Sequence, residues 1–119
     1  MQIRTSEATP LQLNWLVAKC EGASADTLES YIDGMREADD GNYSTNWAQG
    51  GPIIEREKIA VRFEPECHWL FAPPEATWLA NYNGVGEWYG PTPLIAAMRC
   101  YVASKLGDTI DVPEELINV

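Results

Sequence analysis

Thr92-Pro93-Leu94-Ile95-Ala96-Ala97-Met98-Arg99-Cys100-Tyr101-Val102-Ala103-Ser104-Lys105-Leu106-Gly107 is the stretch that decides the fold. Threonine before proline reads as a helix cap followed by the first helical residue. Leu94, Ile95, Met98, Tyr101, Val102 and Leu106 recur at helical spacing as one broad apolar stripe, and Gly107 stops the helix. Ala96, Cys100, Ala103 and Ser104 form a second stripe of small residues. A helix that is apolar or small nearly all round is enclosed by protein. The pattern predicts a central core helix over Pro93–Leu106, and the rest of the chain has to surround it.

Working outward, Ile3 to Thr5 reads as a short first strand. Thr9-Pro10 repeats the cap-and-proline signal, and Leu13, Leu16, Val17 and Cys20 continue at helical spacing to a stop at Gly22. This predicts a helix from Pro10 to Glu21, with Trp15 beside its stripe. Between Ala23 and Ser44, Leu28, Tyr31, Ile32 and Met35 fit a helical face that Gly34 interrupts, and Asp39-Asp40-Gly41-Asn42 is a turn signal. The expectation there is a solvated acidic loop carrying one short element. Pro52 reads as the opening of a short helix over Ile53 to Lys58. Ile59, Val61 and Phe63 alternate with polar or small residues, predicting a strand with one buried face that Pro65 ends. A short run from Trp69 to Phe71 closes at Pro73-Pro74, Thr77 to Tyr82 reads as another strand, and Asn83-Gly84 as a turn. Thr109 to Val112 fits a last edge strand before Pro113, with a flexible tail from Glu114. The fold class expected is α+β: a small antiparallel sheet packed against two main helices in a single domain.

The chain has 119 residues, long enough for a real core without disulfides. Its formal charge is -10, from 18 acids against 8 bases, which repels nucleic acid and anionic membranes. The acids serve either solubility or, in the richer stretch between Glu21 and Asp40, a basic partner. Cys20, Cys67 and Cys100 are scattered, which is neither a disulfide framework nor zinc spacing. No metal and no cofactor are expected. The opening residues lack the apolar core of a signal peptide, and no run is long enough to span a bilayer. A reduced, cytoplasmic protein is expected.

Glycine, proline and aromatic residues concentrate at Asn46-Trp47-Ala48-Gln49-Gly50-Gly51-Pro52 and at Gly84 to Pro93. Gly50, Gly51 and the start of the next helix could offer free N–H groups to an anion. Asn46 and Gln49 could read polar edges, and Trp47 could stack on a ring. A tight turn with a buried tryptophan is the competing explanation. Gly84 to Gly90 does not have the glycine spacing of a dinucleotide loop and reads as a hairpin or lid, with Trp88 and Tyr89 facing a ligand or anchoring the core. Arg99 lies within the apolar helix and needs a carboxylate, carbonyls or a bound anion, with Glu55 or Glu87 as ion-pair candidates. Neighbouring Cys67 and His68 would point to opposite faces of an extended segment, which argues against a nucleophilic pair. The candidate ligand-binding set is Asn46, Trp47, Gln49, Gly50, Gly51, Glu55, Trp88, Tyr89, Thr92 and Arg99, with no catalytic residue.

Asn46 to Glu55, Gly90 to Cys100 and the following Val102-Ala103-Ser104 resemble the NinX-like family of small proteins from tailed phages and prophages. The likeness extends to Leu13–Gly22 and to Val112-Pro113-Glu114-Glu115-Leu116, whereas 23–42 and 66–75 look particular to this chain. The resemblance implies a phage accessory protein acting in the bacterial cytoplasm. It brings no catalytic residues with it.

Three functions fit these residues. One is a non-enzymatic binder that sequesters a nucleotide-like host signalling molecule, Arg99, Thr92 and the glycine N–H groups holding its anionic part and Trp47 and Trp88 its rings. The second is an acidic module that docks on and inhibits a host enzyme. The third is a small nucleotide hydrolase using Glu55, Glu87 or His68, although no base-plus-nucleophile or metal arrangement is visible. The first is the reading adopted. The small-residue stripe also suggests a homo-oligomer, with sites at the subunit interface.

Overall fold

Every well-defined helix begins where the sequence supplies a cap. In the computed structural model, which describes residues 1–33, 41–64, 78–82 and 85–117, the elements are β1 (Gln2–Arg4), α1 (Pro10–Cys20), α2 (Ala25–Asp33), α3 (Trp47–Glu57), β2 (Ile59–Phe63), β3 (Trp78–Tyr82), β4 (Val85–Gly90), α4 (Pro93–Leu106) and β5 (Thr109–Asp111). Short 3-10 turns occupy Thr5–Glu7 and Glu114–Leu116. Thr9 and Gln12 form a reciprocal capping box at the start of α1, Asn46 caps α3 and Thr92 caps α4.

Helix α4 is the centre, as its composition requires. Leu94 to Met98, Cys100, Tyr101 and Val102 are all buried on it. It packs on the antiparallel sheet β2-β3-β4 and on α1, with α3 against it as well. Leu13, Leu16 and Val17 of α1 are fully buried in the same core. A second, two-stranded sheet pairs β1 with β5 antiparallel, Ile3 opposite Ile110, and so joins the two ends of the described chain. The α+β architecture with a small antiparallel sheet on two main helices is the one expected.

Several expectations need correction. Pro52 does not open a helix: α3 starts five residues earlier, and Pro52 lies inside it. Asn46 turns the chain into the helix by accepting from the N–H of Ala48 at 2.9 Å, and Ile53 is buried in the core, so tertiary packing overrides the glycine-proline breaker. The tail is tied down as far as Ile117, because Leu116 is buried and its carbonyl accepts from Nε2 of Gln12 at 2.9 Å. Phe63, predicted to face inward, is 54% exposed and packs against Trp78 with ring centroids 5.1 Å apart. Leu106 is exposed at the end of its stripe. Helix α2 is the one element expected in the acidic segment, anchored by the hydroxyl of buried Tyr31 donating to the carbonyl of Gly41. Gly34, Met35, Asp39 and Asp40, the stretch from Pro65 through Cys67, His68, Trp69–Phe71 and Pro73-Pro74 to Thr77, and the Asn83-Gly84 turn lie outside the described residues.

Candidate functional site

The strand β4 borders the site and approaches α4 closely at its Gly90 end. At Gly90 an added Cβ would lie 2.7 Å from the backbone N of Ala96, so only glycine lets strand and helix touch there. Toward its start β4 carries a bulge: pairing shifts between Ala80 and Tyr82, and Gly86 adopts φ 73°, the left-handed value of a glycine bulge. Between these points the strand and the last turns of α4 leave a pocket of about 680 Å³, lined by Tyr82, Gly86, Glu87, Trp88, Cys100, Ala103, Ser104 and Asp108. Tyr82 and Trp88 give it two aromatic side chains, while Cys100, Ala103 and Ser104 of the small-residue stripe form its helical side. The stripe therefore faces the hairpin and the pocket. Burial pushes the Cys100 thiol up to about 11, so it is protonated near neutral pH and a poor nucleophile.

The predicted site residues do not converge. Trp47 and Thr92 line a separate pocket of about 190 Å³ with Ser44, Thr45, Leu94 and Ile95. It sits at the opposite end of α4 from Ser104, about 18 Å away at 1.5 Å per residue. Trp47 is 55% exposed there, so it is not a core tryptophan. Gly50 and Gly51 lie in the interior of α3, and the Gly50 N–H already donates to the carbonyl of Asn46 at 3.0 Å, which removes it as an anion donor. Gly50 serves packing instead: a Cβ there would overlap the carbonyl oxygen of Tyr43 and the side chain of Leu94. Oε1 of Gln49 accepts from the N–H of Gly41, and Oγ1 of Thr92 accepts from the N–H of Ile95. Glu55 is exposed on α3 and lines neither pocket. Arg99 binds carbonyls: Nη2 donates to Ala8 at 3.0 Å and Nη1 to Tyr89 at 2.7 Å. Neither Glu55 nor Glu87 is its partner. Of the predicted set, Trp88 alone borders the larger pocket.

Sequence reasoning missed a polar clasp at the far ends of α1, α3 and α4. Arg56 makes a bidentate pair with Glu21, its Nη1 and Nη2 at 3.0 and 2.8 Å from the two carboxylate oxygens, and also reaches Glu57. Tyr101 donates its hydroxyl to Glu21, and Lys105 pairs with Glu57 at 3.3 Å. The Arg56 hydrogen bond holds both carboxyls below the ordinary value. Burial, then the bond to Glu21, raises the Tyr101 hydroxyl. Three separate stretches of sequence meet here, and no spacing in any one of them announces it. Among the described residues no group of three or more His, Cys, Asp or Glu is placed to hold a metal ion. None of the described helices is long and apolar enough to cross a membrane.

Across residues 4–105 the sequence matches the family described as Bacteriophage P22, NinX. The chain belongs to that family. The match takes in both glycine-rich motifs, α1, the sheet and all but the last residue of α4, so the pocket's walls, apart from Asp108, fall within the family region. Membership supports a phage accessory protein, in line with the resemblance read from the motifs. No curated protein matches the chain.

Proposed function

We propose that this phage accessory protein holds a small, flat-ringed molecule of nucleoside or nucleotide type in the Trp88 pocket, sequestering a host compound without transforming it. The observation that carries this reading is the juxtaposition of Trp88 with the small-residue side of α4 around a volume of about 680 Å³. That volume is within the usual range of small-molecule sites, and an aromatic face opposite short side chains leaves room for a ring to stack. The Cys100 thiol of the lining is held neutral by its own burial, which supports holding over thiolate-driven turnover. The Trp47–Thr92 pocket is too small for more than a fragment of such a ligand.

The test is a panel of nucleobases, nucleosides and mono-, di- and cyclic nucleotides, followed by melting temperature and tryptophan fluorescence, with recovery of the ligand after denaturation. A ligand that raises the melting temperature and returns unchanged is the expected result. Trp88→Ala should weaken its binding at least ten-fold, about the worth of one lost stacking contact, while Trp47→Ala leaves it intact. A chemically altered ligand would establish an enzyme instead. No response across the panel would leave docking on a host protein as the better account.

A further inference from the structure

The pocket also carries information about the charge of what it takes. Among the described residues its lining includes two carboxylates, Glu87 and Asp108, and no lysine, arginine or histidine. Neither carboxylate is in an ion pair with a described residue. The cations closest along α4 are committed elsewhere: Lys105 lies 3.3 Å from Glu57 and 5.8 Å from the centre of the Tyr101 ring, and Arg99 donates to the carbonyls of Ala8 and Tyr89. With a formal charge of -10 on the whole chain, the surrounding field has the same sign as the two carboxylates.

Building on the ring-binding reading above, we infer that this pocket selects among ring-bearing ligands by charge, taking an amine-bearing, cationic nucleoside-type molecule and rejecting its phosphorylated counterpart. The aromatic wall supplies the stacking surface, and the faces of Trp88 and Tyr82 also attract a cation through their ring electrons. Glu87, on β4, and Asp108, just beyond α4, would receive the ammonium group. A phosphate in the same pocket would meet two carboxylates and, among the described lining residues, no counter-charge. Gly50 and Gly51 cannot supply one, because they lie in α3, away from this pocket.

The experiment uses matched compounds differing only at the 5′ position: adenosine, 5′-amino-5′-deoxyadenosine and adenosine 5′-monophosphate, with the same three groups on guanine, cytosine and uracil nucleosides. Affinity is measured by calorimetry at low and high salt. The expected order is amine, then hydroxyl, then phosphate, with about ten-fold between the extremes at low salt and a smaller ratio at high salt. Glu87→Gln with Asp108→Asn should erase the order between amine and phosphate. Both residues are exposed, so neither substitution threatens the core. If the phosphate binds as tightly as the amine, the charge inference is overturned and the ring-binding reading stands. If no compound on any scaffold binds, the ring-binding reading falls and the charge inference with it.

Discussion

Glu21 shows how much one surface carboxylate can hold together. It accepts from Arg56 on α3 and Tyr101 on α4 while belonging to the end of α1, so three helices share it. Its carboxyl is depressed below 4.5, first by the Arg56 hydrogen bond. A depressed carboxyl adds stability above its unfolded value, and that stability is lost as pH falls through the folded value. Glu21→Gln should therefore cost about 1 kcal/mol at pH 7, reduced by the partial exposure of the pair. The gap between variant and parent at pH 7 should narrow at a second, acid pH below the depressed value. Urea midpoints at the two pH values check this, and an undiminished gap in acid would show that Glu21 acts through packing alone. Nothing in the sequence near Glu21 marks it, because its partners lie 35 and 80 positions away.

Among the elements, α3 separates what was legible from what was not. Cap-and-proline pairs at Thr9-Pro10 and Thr92-Pro93 identified α1 and α4 to within a residue, since local caps and a long apolar stripe agree there. Alternation located β2, and β3 falls within the Thr77 to Tyr82 stretch read as a strand. Gly50-Gly51-Pro52 carries the opposite local signal, and only the space between Tyr43, Leu94 and the α3 backbone explains the first glycine. The two glycines should accordingly behave differently. Gly50→Ala forces a methyl into a backbone carbonyl and should cost about 1–3 kcal/mol. Gly51→Ala meets only Trp47, at an ordinary 3.6 Å, and should gain about 0.5–1 kcal/mol by favouring the helix. Thermal melts of the pair decide it. Equal effects would mean that α3 does not keep this close approach in solution. The site was legible in part for the same reason: Trp88 and the stripe of Cys100, Ala103 and Ser104 stand out locally, but Tyr82 and Asp108 join them only through the hairpin and the turn after α4.

For the whole molecule, Arg99 is the tie between the N-terminal segment and the sheet. It reaches Ala8 on one side and Tyr89 on the other from inside the core helix. Arg99→Met leaves those carbonyls short of donors and should lower stability by about 2–3 kcal/mol. Arg99→Lys, which cannot reproduce the fork, should recover only part of that. Because Arg99 does not line the Trp88 pocket, nucleoside affinity of the folded Arg99→Lys protein should match the parent. A loss of affinity at unchanged urea midpoint would return Arg99 to the binding site.

The position of α4 in chain order has a consequence for biosynthesis. Translation runs from α1 through α3 and the three-stranded sheet before it reaches residue 93, yet α1, α3 and that sheet all pack on α4. A nascent chain halted before that point displays the apolar faces of Leu13, Leu16, Ile53 and Ile59 with no common surface to cover them. Such intermediates are the kind that chaperones hold and proteases remove. In an infected cell, premature termination anywhere upstream of α4 would then yield no partly working product, only material for degradation.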